Sequence, residues 1–303
     1  MRRQTARAIT IALLTAALVM GSTGMGHTKA NAAPAEQSTD ASIKAYAGQL
    51  RDKLSQAQGY ESWKQADTSI SALGPGTHTW LVLLKKEGAS VGYMIIHAVE
   101  AGSYELGEYG IGPYPPYQSR SLRNTLLQLE LSANPYRAER IYLSPLQTIW
   151  QITSNGISYY GDAFSGEALP VTAADYKAQD EQIDSDWLNS KKQGLLAVPA
   201  SLSQQIKQPF FDPYFRFPWL TKPPLEIDSL EDSKLIDAIT SVKSKPLFTT
   251  NAFDGKARFV WSVVGFDRFE TGELYIALDA DGSGTNLRYI PYGTLAALGS
   301  FYL

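Results

Sequence analysis

The stretch Thr79–Val99, TWLVLLKKEGASVGYMIIHAV, decides the fold class of this 303-residue chain. Thr79–Lys85 and Ser90–Val99 are rich in β-branched, aliphatic and aromatic residues, and Glu87, Gly88 and Ala89 supply a turn between them. The segment therefore reads as two strands joined by a short turn. In the second arm Tyr93, Ile95 and His97 fall on one face and Met94, Ile96 and Ala98 on the other, the period of two that a strand requires.

Upstream, Ile43, Tyr46, Ala47, Leu50 and Leu54 recur at steps of three and four, with Asp40 and Ser42 available as caps. This predicts an amphipathic helix from Ala41 whose stripe needs a sheet to cover. Downstream, Gly102–Tyr109 reads as a strand, Ser121–Ser132 as a helix on its leucine content, and Ile141–Ile152 and Ile157–Tyr160 as two more strands. Ala173–Lys192 is charged and reads as a helix. Pro209–Pro224, PFFDPYFRFPWLTKPP, then packs five prolines and six aromatics into 16 residues, which breaks regular structure. Beyond it a helix is expected at Asp232–Val242, strands at Pro246–Thr250, Ala257–Val264, Glu273–Leu278 and Leu287–Pro291, and a short helix over Tyr292–Gly299. The expected class is α+β in two domains, each a mainly antiparallel sheet with a few covering helices. Their bounds are 33–190 and 225–303, with a Pro/aromatic-rich junction over 191–224.

Residues 1–32 read as a signal peptide. Arg2, Arg3 and Arg7 form a basic region, Ile9–Met20 a short apolar run, and Ala30-Asn31-Ala32 a cleavage site, so cleavage is expected after Ala32 and the mature chain outside the cell. The apolar run is shorter than the roughly 20 residues of a spanning helix, and no later transmembrane segment is expected. Losing residues 1–32 removes four cations, Arg2, Arg3, Arg7 and Lys29, and no anion, which moves the formal charge from −3 to −7. That balance argues against nucleic acid or an anionic membrane as partner. The chain has no cysteine, which excludes disulfides, thiolate metal sites and a cysteine nucleophile.

Two segments resemble known families. The strand pair closing on Tyr160–Glu167, with its D-x-x-S-G-E turn, resembles the end of PepSY-like exported domains. From Lys234 onward, Lys245-Pro246-Leu247-Phe248, Arg258–Asp267 and Leu274–Asp279 resemble the C-terminal half of the bacteriocin-processing, papain-like cysteine peptidases. The resemblance implies that Phe259 stands where that family has its histidine and Asp279 where it has the orienting acid, while the nucleophile has no counterpart. A thiolate–imidazole pair needs both the sulfur and the ring, so the resemblance implies a degenerate peptidase-like domain.

Leu278–Asn286, LDADGSGTN, begins like an EF-hand loop, with Asp279, Asp281, Ser283 and Gly284 at positions 1, 3, 5 and 6. Position 12 is Ile290 rather than a bidentate Glu, and the flanks are strand-like. A hairpin turn is expected; the alternative is a weak calcium site at Asp279, Asp281 and Ser283. No other metal site and no cofactor is expected. His97 on its strand face reads as structural. Glu105, Glu108 and Asp162, with His97, are the candidates for carboxylate chemistry, since glycoside hydrolysis needs two acids flanking the bond. The stronger signal is aromatic: YELGEYGIGPYPPY (Tyr104–Tyr117) and FFDPYFRFPW (Phe210–Trp219) set large rings among prolines and glycines. Tyr109, Tyr114, Tyr117, Phe211, Tyr214, Phe217 and Trp219 are the expected binding residues. The functional expectation is an exported, non-catalytic binding protein presenting this surface to a peptide, a protein or an envelope polymer. The alternative is a secreted carboxylate-dependent hydrolase of envelope or environmental polysaccharide.

Overall fold

The computed structural model describes residues 34–74, 78–99, 103–190, 194–226, 232–241 and 243–303. The expected signal peptide and its cleavage site lie outside the described residues. The chain runs through α1 (Pro34–Leu54), a 3-10 turn (Glu61–Trp63), β1 (Asp67–Ala72), β2 (Thr79–Lys86), β3 (Ala89–Ala98), β4 (Tyr104–Ile111) and α2 (Ser119–Gln128). It continues through β5 (Arg137–Ser144), β6 (Gln147–Ser154), β7 (Ile157–Asp162), β8 (Ala168–Leu169), α3 (Ala173–Ser190), β9 (Leu202–Lys207) and α4 (Pro218–Thr221). The last elements are α5 (Ser233–Thr240), β10 (Leu247–Ala252), β11 (Ala257–Phe269), β12 (Leu274–Asp279), β13 (Leu287–Pro291), α6 (Tyr292–Leu298) and β14 (Ser300–Tyr302).

The class is mixed α+β with antiparallel sheets. Among the described residues ten strands join in one sheet of order β1-β2-β3-β4-β13-β12-β11-β10-β14, with β9 pairing to the C-terminal part of β11; β5–β8 form a second sheet of four strands. The two halves of the chain meet where β4 pairs with β13, Tyr109 opposite Tyr289 and Ile111 opposite Leu287. The expectation of one sheet per half is thereby corrected: strands on both sides of the Pro/aromatic segment share a single ladder. Local patterning identifies a strand but says nothing about which distant edge it will join.

The predicted α1 stripe is buried: Ile43, Ala47, Leu50 and Leu54 are fully covered. With Tyr60 and Trp63 it packs on Val82, Met94, Tyr109, Tyr275 and Tyr289, one continuous core along one face of the large sheet. Each such side chain contributes roughly 1.5–3 kcal/mol by leaving water. The opposite face carries two cores. α5 and α6 cover Ile276, Leu278 and Ile290, while α2 and the second sheet cover Leu81, Tyr93 and Ile95 with Trp150 and Ile152.

Ile141–Ile152 is not one strand. It splits into β5 and β6 at Pro145-Leu146, because proline cannot donate to a ladder and marks the turn. β11 runs 13 residues, longer than expected. It bulges after Val263, where Gly265 takes φ of 155° and a Cβ would strike the Ile206 carbonyl. Only glycine lets β9 dock there.

Candidate functional site

Asp279 ends β12 and is 1% exposed. Its Oδ2 accepts the Gly284 N–H at 2.9 Å, and Asp281 Oδ1 accepts the Ser283 N–H at 2.9 Å. Burial raises the Asp279 carboxyl above its usual range against the pull of the Gly284 and Asp281 amides, while Ser283 holds Asp281 below it. Gly282 and Gly284 take φ of 76° and 67°, the left-handed region that glycine tolerates. LDADGSGTN is therefore the loop of the β12–β13 hairpin, its carboxylates engaged by its own amides. Among the described residues no group of three or more His, Asp or Glu is placed to hold a metal ion.

This hairpin end supports both aromatic loops. Gly282 lies against the backbone of Phe211 and Asp212, Gly284 lies against the Phe210 ring, and Asn286 Oδ1 accepts the Tyr114 N–H at 3.0 Å. The Phe210–Leu220 segment is anchored inward by Phe211, whose carbonyl accepts the Ser262 hydroxyl at 2.6 Å. Asp212 Oδ1 then accepts the Tyr214 N–H at 2.8 Å and turns the chain. Phe210, Tyr214, Phe215, Phe217 and Leu220 remain between 45% and 68% exposed. Rings brace one another edge to face, Phe217–Trp219 at 5.3 Å and Phe211–Phe215 at 5.8 Å. Lys245 Nζ stands 4.8 Å from the Phe215 centroid, a contact worth about 0.5–1 kcal/mol at an exposed site.

Three expected binding residues are corrected to core. Tyr109 is fully buried, stacks on Tyr289 at 4.8 Å and donates to Asp267 Oδ2 at 2.7 Å. Tyr117 is buried and donates to the Ile141 carbonyl at 2.5 Å, and Phe211 is the buried anchor just described. Tyr114, Tyr214 and Phe217 are exposed, and Trp219 is half-buried.

The carboxylate candidates do not converge in an open cleft. Glu108 is sealed between the layers, with Arg288 Nη2 at 2.8 Å and the Tyr93 hydroxyl donating at 2.9 Å. Burial raises its carboxyl above the usual range against the pull of Arg288 and Tyr93. Arg288 also donates to the Pro145 carbonyl and lies 4.0 Å over the Phe164 ring, so the pair cross-links β4, β13 and the second sheet. Asp162 Oδ1 accepts the Ser165 N–H at 2.7 Å and the Phe164 N–H at 3.0 Å, which closes its own turn. Glu105 is half-buried on β4 opposite His97. His97 is buried with Nδ1 2.9 Å from Thr79 Oγ1 and its ring over Gly107.

Phe259 and Asp279 occupy opposite faces of neighbouring strands. Asp279 pairs with Ser262 on β11, and Phe259 lies three residues before Ser262, an odd step that turns it to the other face. There it stacks on Trp261 at 5.8 Å. A ring and an acid at these positions would not touch.

Sequence reading missed a groove beside the aromatic segment. Thr250 and Asn251 of β10 and Leu298 of α6 line two adjoining clefts of about 210 and 450 Å³, and Trp219 also lines the smaller one. Its residues come from widely separated elements, so no local motif marks it. Among the described residues no helix is long and apolar enough to cross a membrane. No family model matches the chain, and neither a curated protein nor a solved structure matches it.

Proposed function

We propose that this protein is an exported, non-catalytic binding protein that presents the Phe210–Leu220 segment to a peptide, an envelope polymer or another exported protein. The observation that carries the reading is exposure. Five of the eleven large apolar side chains that stand open among the described residues fall in this one segment. Rings already braced by neighbours and by buried Pro213 and Pro218 lose little freedom on contact, so more of their burial is left as affinity. The leader-like residues 1–32 and the formal charge of −7 without them support export and a partner that is not a polyanion. The closed settings of Glu108 and His97 support binding rather than turnover.

The test uses the full chain with its own leader, assayed for retention on immobilised peptidoglycan, chitin, cellulose and a random peptide library. The triple substitution Phe210→Ser, Phe215→Ser and Phe217→Ser is expected to weaken retention by about tenfold or more while leaving the melting temperature in place. Unchanged retention overturns the reading. So does turnover of peptide or glycan substrates that Glu105→Gln abolishes.

A further inference from the structure

The groove behind the aromatic segment has an unusual lining for a surface cleft. Its larger part, about 450 Å³, is bounded by the β5–β6 turn, α3, the β10–β11 turn and α6. Two side-chain atoms of residues in that wall, Ser144 Oγ and Gln147 Oε1, have no hydrogen-bond partner among the described residues, although their residues are only 1% and 6% exposed. A buried polar atom left unpaired is destabilising, and such an exception calls for a reason. The rim is strained as well. Asp254, which lines this cleft, takes φ of 55°, and the buried Phe253 before it 54°, a backbone region costly for residues with a side chain.

The smaller part, about 210 Å³, continues past Thr250 and Asn251 to Trp219, Arg258 and Tyr302. Arg258 commits Nε to Asn251 Oδ1 at 2.8 Å and extends its guanidinium at an exposed position. The combined chemistry is amides and hydroxyls along the walls, one guanidinium, and an indole and a phenol in the smaller part. The two clefts together fall within the roughly 300–1,000 Å³ of small-ligand sites.

We infer that this groove binds a short stretch of oligosaccharide. The inference rests on the binding reading above and adds the ligand class. Amide and hydroxyl groups that both donate and accept match the paired hydroxyls of a sugar ring, and an indole face packs on its C–H surface. Turned outward from their covered positions, the Gln147 amide and the Ser144 hydroxyl find their missing partners in ligand hydroxyls, and Arg258 and Asn251 hold the next ring against Trp219. A peptide would call for apolar side-chain pockets in alternation, and the groove wall is mainly polar.

Retention of the full chain on chitin, cellulose and peptidoglycan is compared for wild type, Arg258→Gln, Gln147→Leu and Ser144→Ala. The expected result is retention on at least one of these glycans that falls about tenfold with each single substitution, the scale of one or two lost hydrogen bonds. Gln147→Leu and Ser144→Ala are also expected to leave the melting temperature unchanged or raised, since neither atom has a partner among the described residues. A lower melting temperature would reveal structural roles and overturn the inference. Glycan retention indifferent to all three groove variants overturns it as well. If no glycan is retained and the peptide library is retained through Phe210, Phe215 and Phe217, the inference fails while the binding reading stands.

Discussion

Two carboxylates sit near the middle of the ten-stranded sheet, one on each face, and the fold treats them differently. Glu108 points toward the second sheet and meets a cation, Arg288, at 2.8 Å. Asp267 points toward α1 and the 3-10 turn and meets hydroxyls: its Oδ2 accepts from Tyr60 and from Tyr109 at 2.7 Å. Lys207 acts on Asp267 only through space, and burial raises the Asp267 carboxyl above its usual range. The first acid belongs to a charge pair that spans a seam between layers. The second is a local polar knot whose ionised form the fold tolerates poorly. Burial alone therefore does not say what a buried acid does; the partner does.

The largest effect should come from breaking the pair. Glu108→Ala leaves Arg288 charged and buried with its carboxylate gone, at an expected cost of about 3–5 kcal/mol in chemical denaturation. The double change Glu108→Leu with Arg288→Met should recover most of that loss, because a well-packed apolar pair often equals a buried ion pair. If the double variant is as unstable as the single one, the pair is not the unit that matters.

Next in size is Tyr109→Phe, which removes one of the two hydroxyls from Asp267. The expected cost is about 1–2 kcal/mol at neutral pH. It should shrink in acid, since those hydroxyls favour the ionised carboxylate. A loss independent of pH would mean that ring packing, not the hydroxyl, is being measured.

The smallest effect, and the one with a distinctive sign, is Asp267→Asn. Because the folded chain holds the Asp267 proton more tightly than the unfolded chain does, its contribution to stability is full below the ordinary carboxyl range. That contribution is lost as pH rises through the folded value. Asp267→Asn removes this dependence. Its melting temperature should match wild type in acid and move above it, by the equivalent of about 1 kcal/mol or less, as pH increases. A gap that stays constant across pH would erase the contrast with Glu108.

Neither acid centre was visible in the sequence. Glu108 read only as a candidate catalytic carboxylate and Asp267 lay beyond the expected strand Ala257–Val264, and their partners, Arg288 for one and Tyr60 for the other, are distant in the chain. The aromatic loops were half legible. Composition marked Tyr104–Tyr117 and Phe210–Trp219 as ring-rich, but it did not say which rings turn inward. Proline-rich segments have no repeating period, so Phe211 buries and Phe210 does not for reasons that lie in Ser262 and Gly284, which belong to other elements.

Local chemistry was enough for the elements themselves: the covered stripe of α1, the alternation in β2 and β3, and the glycine–aspartate turn after β12 each follow from periodicity and backbone preference over a few neighbouring residues. Assembly required the folded chain. The edge of β4 offers the same N–H and C=O groups to any strand, so only packing summed over both faces selects β13 as its neighbour. That choice joins the two halves in one sheet and brings Glu108 to Arg288, a contact 180 residues apart in the chain. The groove at Thr250 and Asn251 arises in the same way, where chain segments with no local relation come to rest side by side.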